Sequence, residues 1–178
     1  MHVLRQTFSM HGNVFELLLH YVPYARQDKN HAQGDPLSIA AFADIINMLQ
    51  FDKVYISDPH SDVTPAVLNR SVVVNTQLRL FSKAMYALKS DVQGLRGRYD
   101  VIVAPDMGAY KKAEEIATAY GVDLAVFAKK RNKETGEIIG LELISNTNLQ
   151  GKKVVVIDDI CDGGFTFTEL GKSAPPIS

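Results

Sequence analysis

The chain has 178 residues, of which 46% are hydrophobic and 22% are charged, and its 19 basic and 20 acidic side chains give a net charge of −1. This composition is typical of a globular protein and excludes a disordered chain. A charge so close to neutral creates no field that would attract nucleic acid or an anionic membrane, so we expect neither as a partner. With one cysteine, Cys161, the chain has no internal disulfide, and no apolar run is long enough to span a bilayer. We therefore expect a cytoplasmic protein.

Short apolar runs alternate along the chain with segments of helical length. Most runs are rich in valine and isoleucine, as in strands that are covered on both faces. The predicted strands are 17–23, 54–57, 72–74, 101–104, 124–128, 141–144 and 154–157. Helices are predicted over 37–49, with Asp35 and Pro36 as N-cap and first-turn residues, and over 109–120, with Gly121 as the terminator. This alternation predicts an α/β fold with a largely parallel sheet.

The strongest functional signal follows the last predicted strand. Two carboxylates, Asp158 and Asp159, come directly after the strand, and the next residues of interest are Asp162, Gly163, Gly164, Phe165 and Thr166. Ligands of open α/β sheets bind at this edge. Glycines let backbone N–H groups approach a phosphate, and a helix N-terminus favours the anion, whereas the carboxylates suit the hydroxyls of a ribose. The loop predicts a site for a phosphorylated sugar; the alternative is an acidic turn that binds nothing.

Two polar segments in the first half of the chain also follow predicted strands. Arg26, Gln27 and Asp28 form a loop whose arginine is suited to bidentate phosphate binding, although such loops are often only solvated. In an extended segment, Asp58, His60 and Asp62 would share one side of the backbone, where they could converge on a hard cation. The alternative for that segment is plain polar surface.

Two more segments of the same kind lie in the second half. Asp106 follows the strand at 101–104 in a glycine turn, where by itself it is the expected N-cap of the next helix. Lys129, Lys130 and Arg131 place three cations at the end of another strand, an arrangement that is often no more than a solvated surface.

The five segments in this order resemble the ribose-phosphate pyrophosphokinases, also called 5-phosphoribosyl-1-diphosphate (PRPP) synthetases. The resemblance covers about residues 16–172 and implies an α/β fold with parallel sheets of the type I phosphoribosyltransferase kind, in two partial similar domains. Residues 1–75 would be part of the N-terminal ATP-binding half, residues 76–172 part of the C-terminal half with the PRPP loop, and residues 173–178 a tail. The two ends of the chain do not resemble the family, which predicts a truncated member.

The resemblance also implies an activity and its residues. Members of the family transfer diphosphate from ATP to C1 of ribose 5-phosphate, use Mg²⁺ as cofactor and form homo-oligomers. The alternatives are a type I phosphoribosyltransferase and an inactive PRPP-synthetase-like subunit. The family usually has glycine at the position of Phe165, so the phosphate loop of this chain is expected to differ in shape from that of the family. The implied catalytic residues are Lys129 and Arg26, the ATP-binding residues Arg26, Gln27 and Asp28, the metal-binding residues His60, Asp106 and Asp58, and the ribose-5-phosphate-binding residues Arg131, Asp158, Asp159, Asp162, Gly163, Gly164, Phe165 and Thr166.

Overall fold

The structure is a computed structural model, and it describes residues 14–30, 32–69, 71–87, 98–132 and 134–173. The chain divides into two compact units between Thr76 and Gln77. The predicted tail lies outside the described residues except for Ser173, which ends a helix.

In the part of the first unit that the structure describes, a parallel sheet of three strands is accompanied by two helices. Each strand lies next to its neighbour in the chain, in the order β1-β2-β3, and Leu17, Val54 and Val72 stand side by side in the register. Ile39, Ala43 and Ile56 pack in its core with little or no exposure. Its elements are β1 Glu16–Leu19, α1 Ser38–Leu49, β2 Lys53–Ser57, α2 Val63–Ala66 and β3 Ser71–Asn75.

Helix α1 begins later than the sequence predicts. Asp35 is not its N-cap, because the helix starts at Ser38 and the preceding Leu37 makes no side-chain cap. Instead, an Asp35 carboxylate oxygen accepts a hydrogen bond from the N–H of Ala32 at 2.7 Å and so closes a turn before the helix. Since a residue before proline is pushed out of the helical region, Asp35 is suited to this turn.

The second unit contains a four-stranded sheet in the order β6-β5-β4-β7. Strand β4 is parallel to both β5 and β7, whereas β6 is antiparallel to β5. All four residues of β4 are buried, which explains its uninterrupted apolar sequence. The elements of this unit are α3 Gln77–Ala87, β4 Val101–Ala104, α4 Tyr110–Tyr120, β5 Asp123–Arg131, β6 Ile138–Leu143, β7 Val154–Val156 and α5 Phe165–Ser173.

The predicted α/β class with parallel sheets is confirmed, and so is the end of α4. Gly121 follows this helix in the left-handed region at φ 62°, and its N–H bonds back to the last turn. Helix α3 precedes the second sheet in the chain and helix α5 follows it. Phe81 of α3 and Leu170 of α5 are buried, each in a hydrophobic cluster of this unit. Among the described residues, no helix has the length and apolar character needed to cross a membrane.

Candidate functional site

Three polar side chains meet at one edge of the second sheet, where the parallel strands end. Asp106 stands two residues after β4, Asp158 stands two residues after β7, and Lys129 lies near the end of β5. Strand β4 pairs in parallel with both β5 and β7, so β4 and β7 end side by side, and β5 continues past them to the position of Lys129. This is the edge at which ligands of open α/β sheets bind.

Asp106 is held by backbone groups on one side and by a cation on the other. Its Oδ1 accepts hydrogen bonds from the N–H groups of Gly108 at 2.9 Å and Ala109 at 3.2 Å. Its Oδ2 lies 2.8 Å from Nζ of Lys129. A Cβ on Gly108 would come within 3.1 Å of Oδ1, so glycine leaves room for the carboxylate here. Burial raises the pKa of Asp106, but the hydrogen bond and charge of Lys129 and the two N–H groups outweigh it, and the pKa is lowered overall.

Asp158 differs from Asp106 because no cation offsets the effect of burial on the pKa of its carboxyl group. Burial raises its pKa to about 6, and the side-chain hydrogen bond and charge of Asp159 and the charge of Asp106 act in the same direction. The N–H of Asp159, which donates to Oδ1 of Asp158 at 2.8 Å, opposes the shift but does not cancel it. Carboxylates are therefore crowded at this edge, and a cation there would relieve their repulsion.

The raised pKa of Asp158 predicts a pH-dependent stability. Between pH 3.8, the ordinary value, and about pH 6, the folded protein retains a proton that the unfolded chain releases. The contribution of Asp158 to the free energy of unfolding is therefore present at low pH and is lost as the pH rises through this window. Urea denaturation of the native protein and the Asp158→Asn variant from pH 4 to pH 7 should show a steeper decline for the native protein, and parallel curves would contradict the prediction.

The predicted phosphate loop leads directly into helix α5. Gly164 adopts φ 73°, a conformation that side chains disfavour, and its carbonyl accepts hydrogen bonds from both the N–H and the Oγ1 of Thr168 at 3.0 Å. The helix then begins at Phe165, whose phenyl ring is 49% exposed. Asp162 and Gly163 are also exposed and Thr166 is half-buried. The loop and the first turn of α5 therefore have the exposure that an anion site needs.

The predicted pair Lys129 and Arg131 is separated by an irregularity in strand β5. Side chains two residues apart on a regular strand point to the same face. The register with β6 shifts between Lys130 and Arg131, so this relation is interrupted. The Arg131 guanidinium donates a hydrogen bond from Nη1 to the carbonyl of Gly136 at 3.1 Å, which ties it to the β5–β6 hairpin.

In the first unit, the predicted ATP-binding loop borders a surface depression of about 520 Å³. Arg26 and Gln27 line it together with Tyr21, Pro23 and Tyr24. Tyr24 has φ 63°, which is rare for an aromatic residue, and its carbonyl accepts a hydrogen bond from the N–H of Gln27 at 2.9 Å. The exposed rings of Tyr21 and Tyr24 lie in this lining beside the guanidinium of Arg26 and the amide of Gln27. Such a lining is suited to a nucleobase and a phosphate.

The segment after β2 is not extended. The prediction that Asp58, His60 and Asp62 share one side of the backbone assumed an extended segment, and that assumption is wrong. Asp58 and His60 have φ values of 45° and 65°, and Asp62 lies in the right-handed helical region before α2. A hydrogen bond between the ends of β1 and β2 was not predicted from the sequence. It joins Nδ1 of His20 and Oγ of the buried Ser57 at 3.2 Å. The apolar pattern of β1 and β2 could have placed these two residues at the same edge.

The described residues contain no group of three or more histidine, cysteine, aspartate or glutamate side chains arranged to hold a metal ion. The oxygen donors of Asp106 and Asp158 are nevertheless of the kind that Mg²⁺ prefers. Their crowding provides the negative charge that such a cation would neutralise.

Comparison with known families identifies the second half of the chain. Residues 74–172 match the phosphoribosyl transferase domain. The chain belongs to this family. The residues that match the phosphoribosyl transferase domain include the Asp106–Lys129 pair, the Asp158–Asp159 pair and the loop before α5.

The chain is also similar to ribose-phosphate pyrophosphokinases, which confirms the resemblance predicted from its sequence. It is 32% identical over 158 residues to the enzyme of Cereibacter sphaeroides, covering 85% of this chain and 43% of that protein. It is 23% identical over 172 residues to that of Sulfurisphaera tokodaii, covering 97% and 56% respectively. The chain thus spans about half the length of the curated relatives it matches.

A solved structure gives the same fold. Phosphoribosylpyrophosphate synthetase from Mycobacterium smegmatis superposes with a TM-score of 0.72 at 24% sequence identity, over 96% of this chain and 53% of that chain. The likeness thus extends over both units.

Proposed function

We propose that this protein is a ribose-phosphate diphosphokinase. Its reaction would transfer the β,γ-diphosphoryl group of ATP to the C1 hydroxyl of ribose 5-phosphate. A bond would form between the C1 oxygen and the β-phosphorus while the bond from that phosphorus to the oxygen of AMP breaks, and the hydroxyl proton would be released. The observation that carries the proposal is the Lys129–Asp106 pair beside Asp158, within the part of the chain that matches the phosphoribosyl transferase domain.

The second unit would bind ribose 5-phosphate. Asp158 and Asp159 would accept hydrogen bonds from ribose hydroxyls, while the exposed loop from Asp162 to Thr166 would bind the 5-phosphate through backbone N–H groups at the start of α5. Lys129 would stabilise the negative charge that grows on the transferred phosphoryl oxygens. Arg131, whose guanidinium contacts the carbonyl of Gly136, would have to leave that contact to reach a phosphate.

The first unit would bind ATP in the depression beside Arg26 and Gln27, with Asp28 next to them in the loop. A guanidinium at this position would bind phosphate oxygens through paired hydrogen bonds and would stabilise the leaving AMP. The exposed rings of Tyr21 and Tyr24 provide an apolar surface for the base.

We propose Asp106 as a Mg²⁺ ligand in the second unit and, separately, Asp58 and His60 as Mg²⁺-binding residues in the first unit. Oxygen ligands suit this hard cation, so His60 would contact it through a bound water. When bound, the ion would supply positive charge to the phosphate oxygens of ATP. We also propose a cytoplasmic homo-oligomer, on the basis of the similarity to ribose-phosphate pyrophosphokinases.

The test is release of AMP by the full 178-residue chain from ATP and Mg²⁺, measured by chromatography with and without ribose 5-phosphate. The proposal expects AMP only when the sugar phosphate is present. The proposal would be overturned if AMP were released at the same rate without ribose 5-phosphate. It would also be overturned if no AMP were released and calorimetry showed that the chain binds neither ATP nor ribose 5-phosphate.

A second candidate function is that of a type I phosphoribosyltransferase, which the family of residues 74–172 favours. Such an enzyme would release pyrophosphate from PRPP when a nucleobase is added, whereas the proposed kinase would not. A third, an inactive PRPP-synthetase-like subunit, is favoured by the exposed Phe165 in the loop, and it would bind both substrates without turnover.

Replacement of Phe165 provides a prediction about the phosphate loop. Phe165→Gly should tighten binding of ribose 5-phosphate by about fivefold, the equivalent of one further net hydrogen bond of roughly 1 kcal/mol, because glycine lets the N–H groups of the loop adjust to the phosphate. Calorimetric titration measures the effect. The control is Phe165→Ala, which removes the ring but keeps Cβ and should gain less; an equal gain would assign the effect to the ring.

A further inference from the structure

The carboxylate of Asp106 offers a cation one oxygen rather than two. Its Oδ1 is occupied by the N–H groups of Gly108 and Ala109, which fix the orientation of the whole group. The other oxygen, Oδ2, faces Nζ of Lys129 at 2.8 Å. The cation that satisfies this oxygen in the structure is therefore part of the chain itself.

The proposed function gives the same oxygen a second cation. A Mg²⁺ ion binds a carboxylate oxygen at about 2.1 Å, so an ion on either lone pair of Oδ2 would lie within about 5 Å of Nζ of Lys129. Two cations on one oxygen would repel each other strongly, since they would be only a few ångströms apart. The fixed orientation of Asp106 prevents the carboxylate from turning so that Oδ1 serves one cation and Oδ2 the other.

We propose that Lys129 and a divalent cation bind Asp106 in exclusive states, so that the arrival of the metal releases the lysine. This inference rests on the proposed function, which makes Asp106 a metal ligand. In the metal-free protein Lys129 acts as the counter-ion of Asp106 and keeps the carboxylate paired. In the metal-bound protein its ammonium is free to interact with the phosphates of a substrate.

The exposure of the pair makes this exchange inexpensive. The side chains of Lys129 and Asp106 are 33% and 30% exposed, so solvent screens their attraction. Ion pairs of this kind contribute little, which corresponds to a change of at most about fivefold in an equilibrium constant. Because the two states are exclusive, the lysine weakens apparent metal binding by one plus the equilibrium constant of the ion pair, and saturating metal displaces the ion pair completely.

The first arm of the test measures Mg²⁺ affinity by calorimetry on the full chain without nucleotide. Lys129→Met removes the charge and should tighten Mg²⁺ binding by up to about fivefold. The matched control is Lys130→Met, because this neighbouring exposed lysine points to the other face of the strand. An unchanged or weaker affinity in Lys129→Met, or an equal gain in both variants, would overturn the inference.

The second arm measures the lysine itself. Addition of Mg²⁺ should increase the rate at which an amine-reactive acetylating reagent modifies Lys129, read by mass spectrometry, while Lys130 in the same sample keeps its rate. If Asp106→Asn does not weaken Mg²⁺ binding, Asp106 is not the metal ligand and this part of the proposed function fails with the inference. If Asp106→Asn weakens it but Mg²⁺ leaves the reactivity of Lys129 unchanged, only the exclusive binding is wrong.

Discussion

Replacement of Lys129 by alanine is expected to lower kcat for AMP release by about 10²- to 10³-fold, with little change in KM. Loss of one preorganised contact to the developing charge typically has this effect, equivalent to roughly 3 to 4 kcal/mol in the transition state. The split between kcat and KM follows if the ammonium interacts with the phosphoryl oxygens mainly in the transition state. Steady-state kinetics with ribose 5-phosphate as the varied substrate measures both constants.

The control for this prediction is Lys130→Ala, which removes an equal charge one residue along β5. It should leave kcat within about twofold, since surface charges of this kind contribute little. If Lys129→Ala has the same kcat as the native protein, the lysine takes no part in the reaction. A rise in KM alone would instead indicate that it binds the substrate in the ground state.

The second large effect concerns the strand that carries Lys129. Phe127 is 2% exposed and packs in one cluster with Val103, Leu141 and Leu170. Phe127→Ala should lower the free energy of unfolding by about 3 to 5 kcal/mol, because it removes the buried ring and leaves a cavity that the neighbouring side chains fill only in part. Urea denaturation followed by circular dichroism measures the loss.

Phe165→Ala is the matched control, since its ring is 49% exposed at the start of α5. The same substitution should change the free energy of unfolding there by about 0.5 kcal/mol or less. Similar losses in the two variants would mean that the buried cluster around Phe127 does not stabilise the second unit as the structure implies.

Much of the fold was predictable from the sequence because buried parallel strands leave a strong apolar signal. The run at 101–104 coincides with β4, and the glycine at 121 ends α4 as expected. Boundaries set by local polar contacts were less predictable. The start of α1 depends on the hydrogen bond between Ala32 and Asp35, which competes with a helix cap and cannot be distinguished from one by residue type.

The candidate site was predictable in its residues but not in its pairings. The sequence indicated that Asp106, Lys129 and Asp158 belong near a ligand, because each follows or ends a strand. It did not indicate that Asp106 caps its own loop and pairs with Lys129 at the same time, since these contacts depend on the order of strands in the sheet. The conformation of Asp58 and His60 was also missed, because a positive φ at non-glycine residues leaves little trace in a sequence.

Strand β5 is longer than the strand that supports it on one side. Its pairing with β4 ends at Val126, and the residues from Phe127 to Arg131 pair only with β6. The preceding residues, from Asp123 to Val126, pair only with β4, so the two halves of the strand are paired on opposite sides. Lys129 therefore belongs to the β5–β6 hairpin, so a change in the pairing of that hairpin would move the lysine without altering the parallel register of β4 and β5.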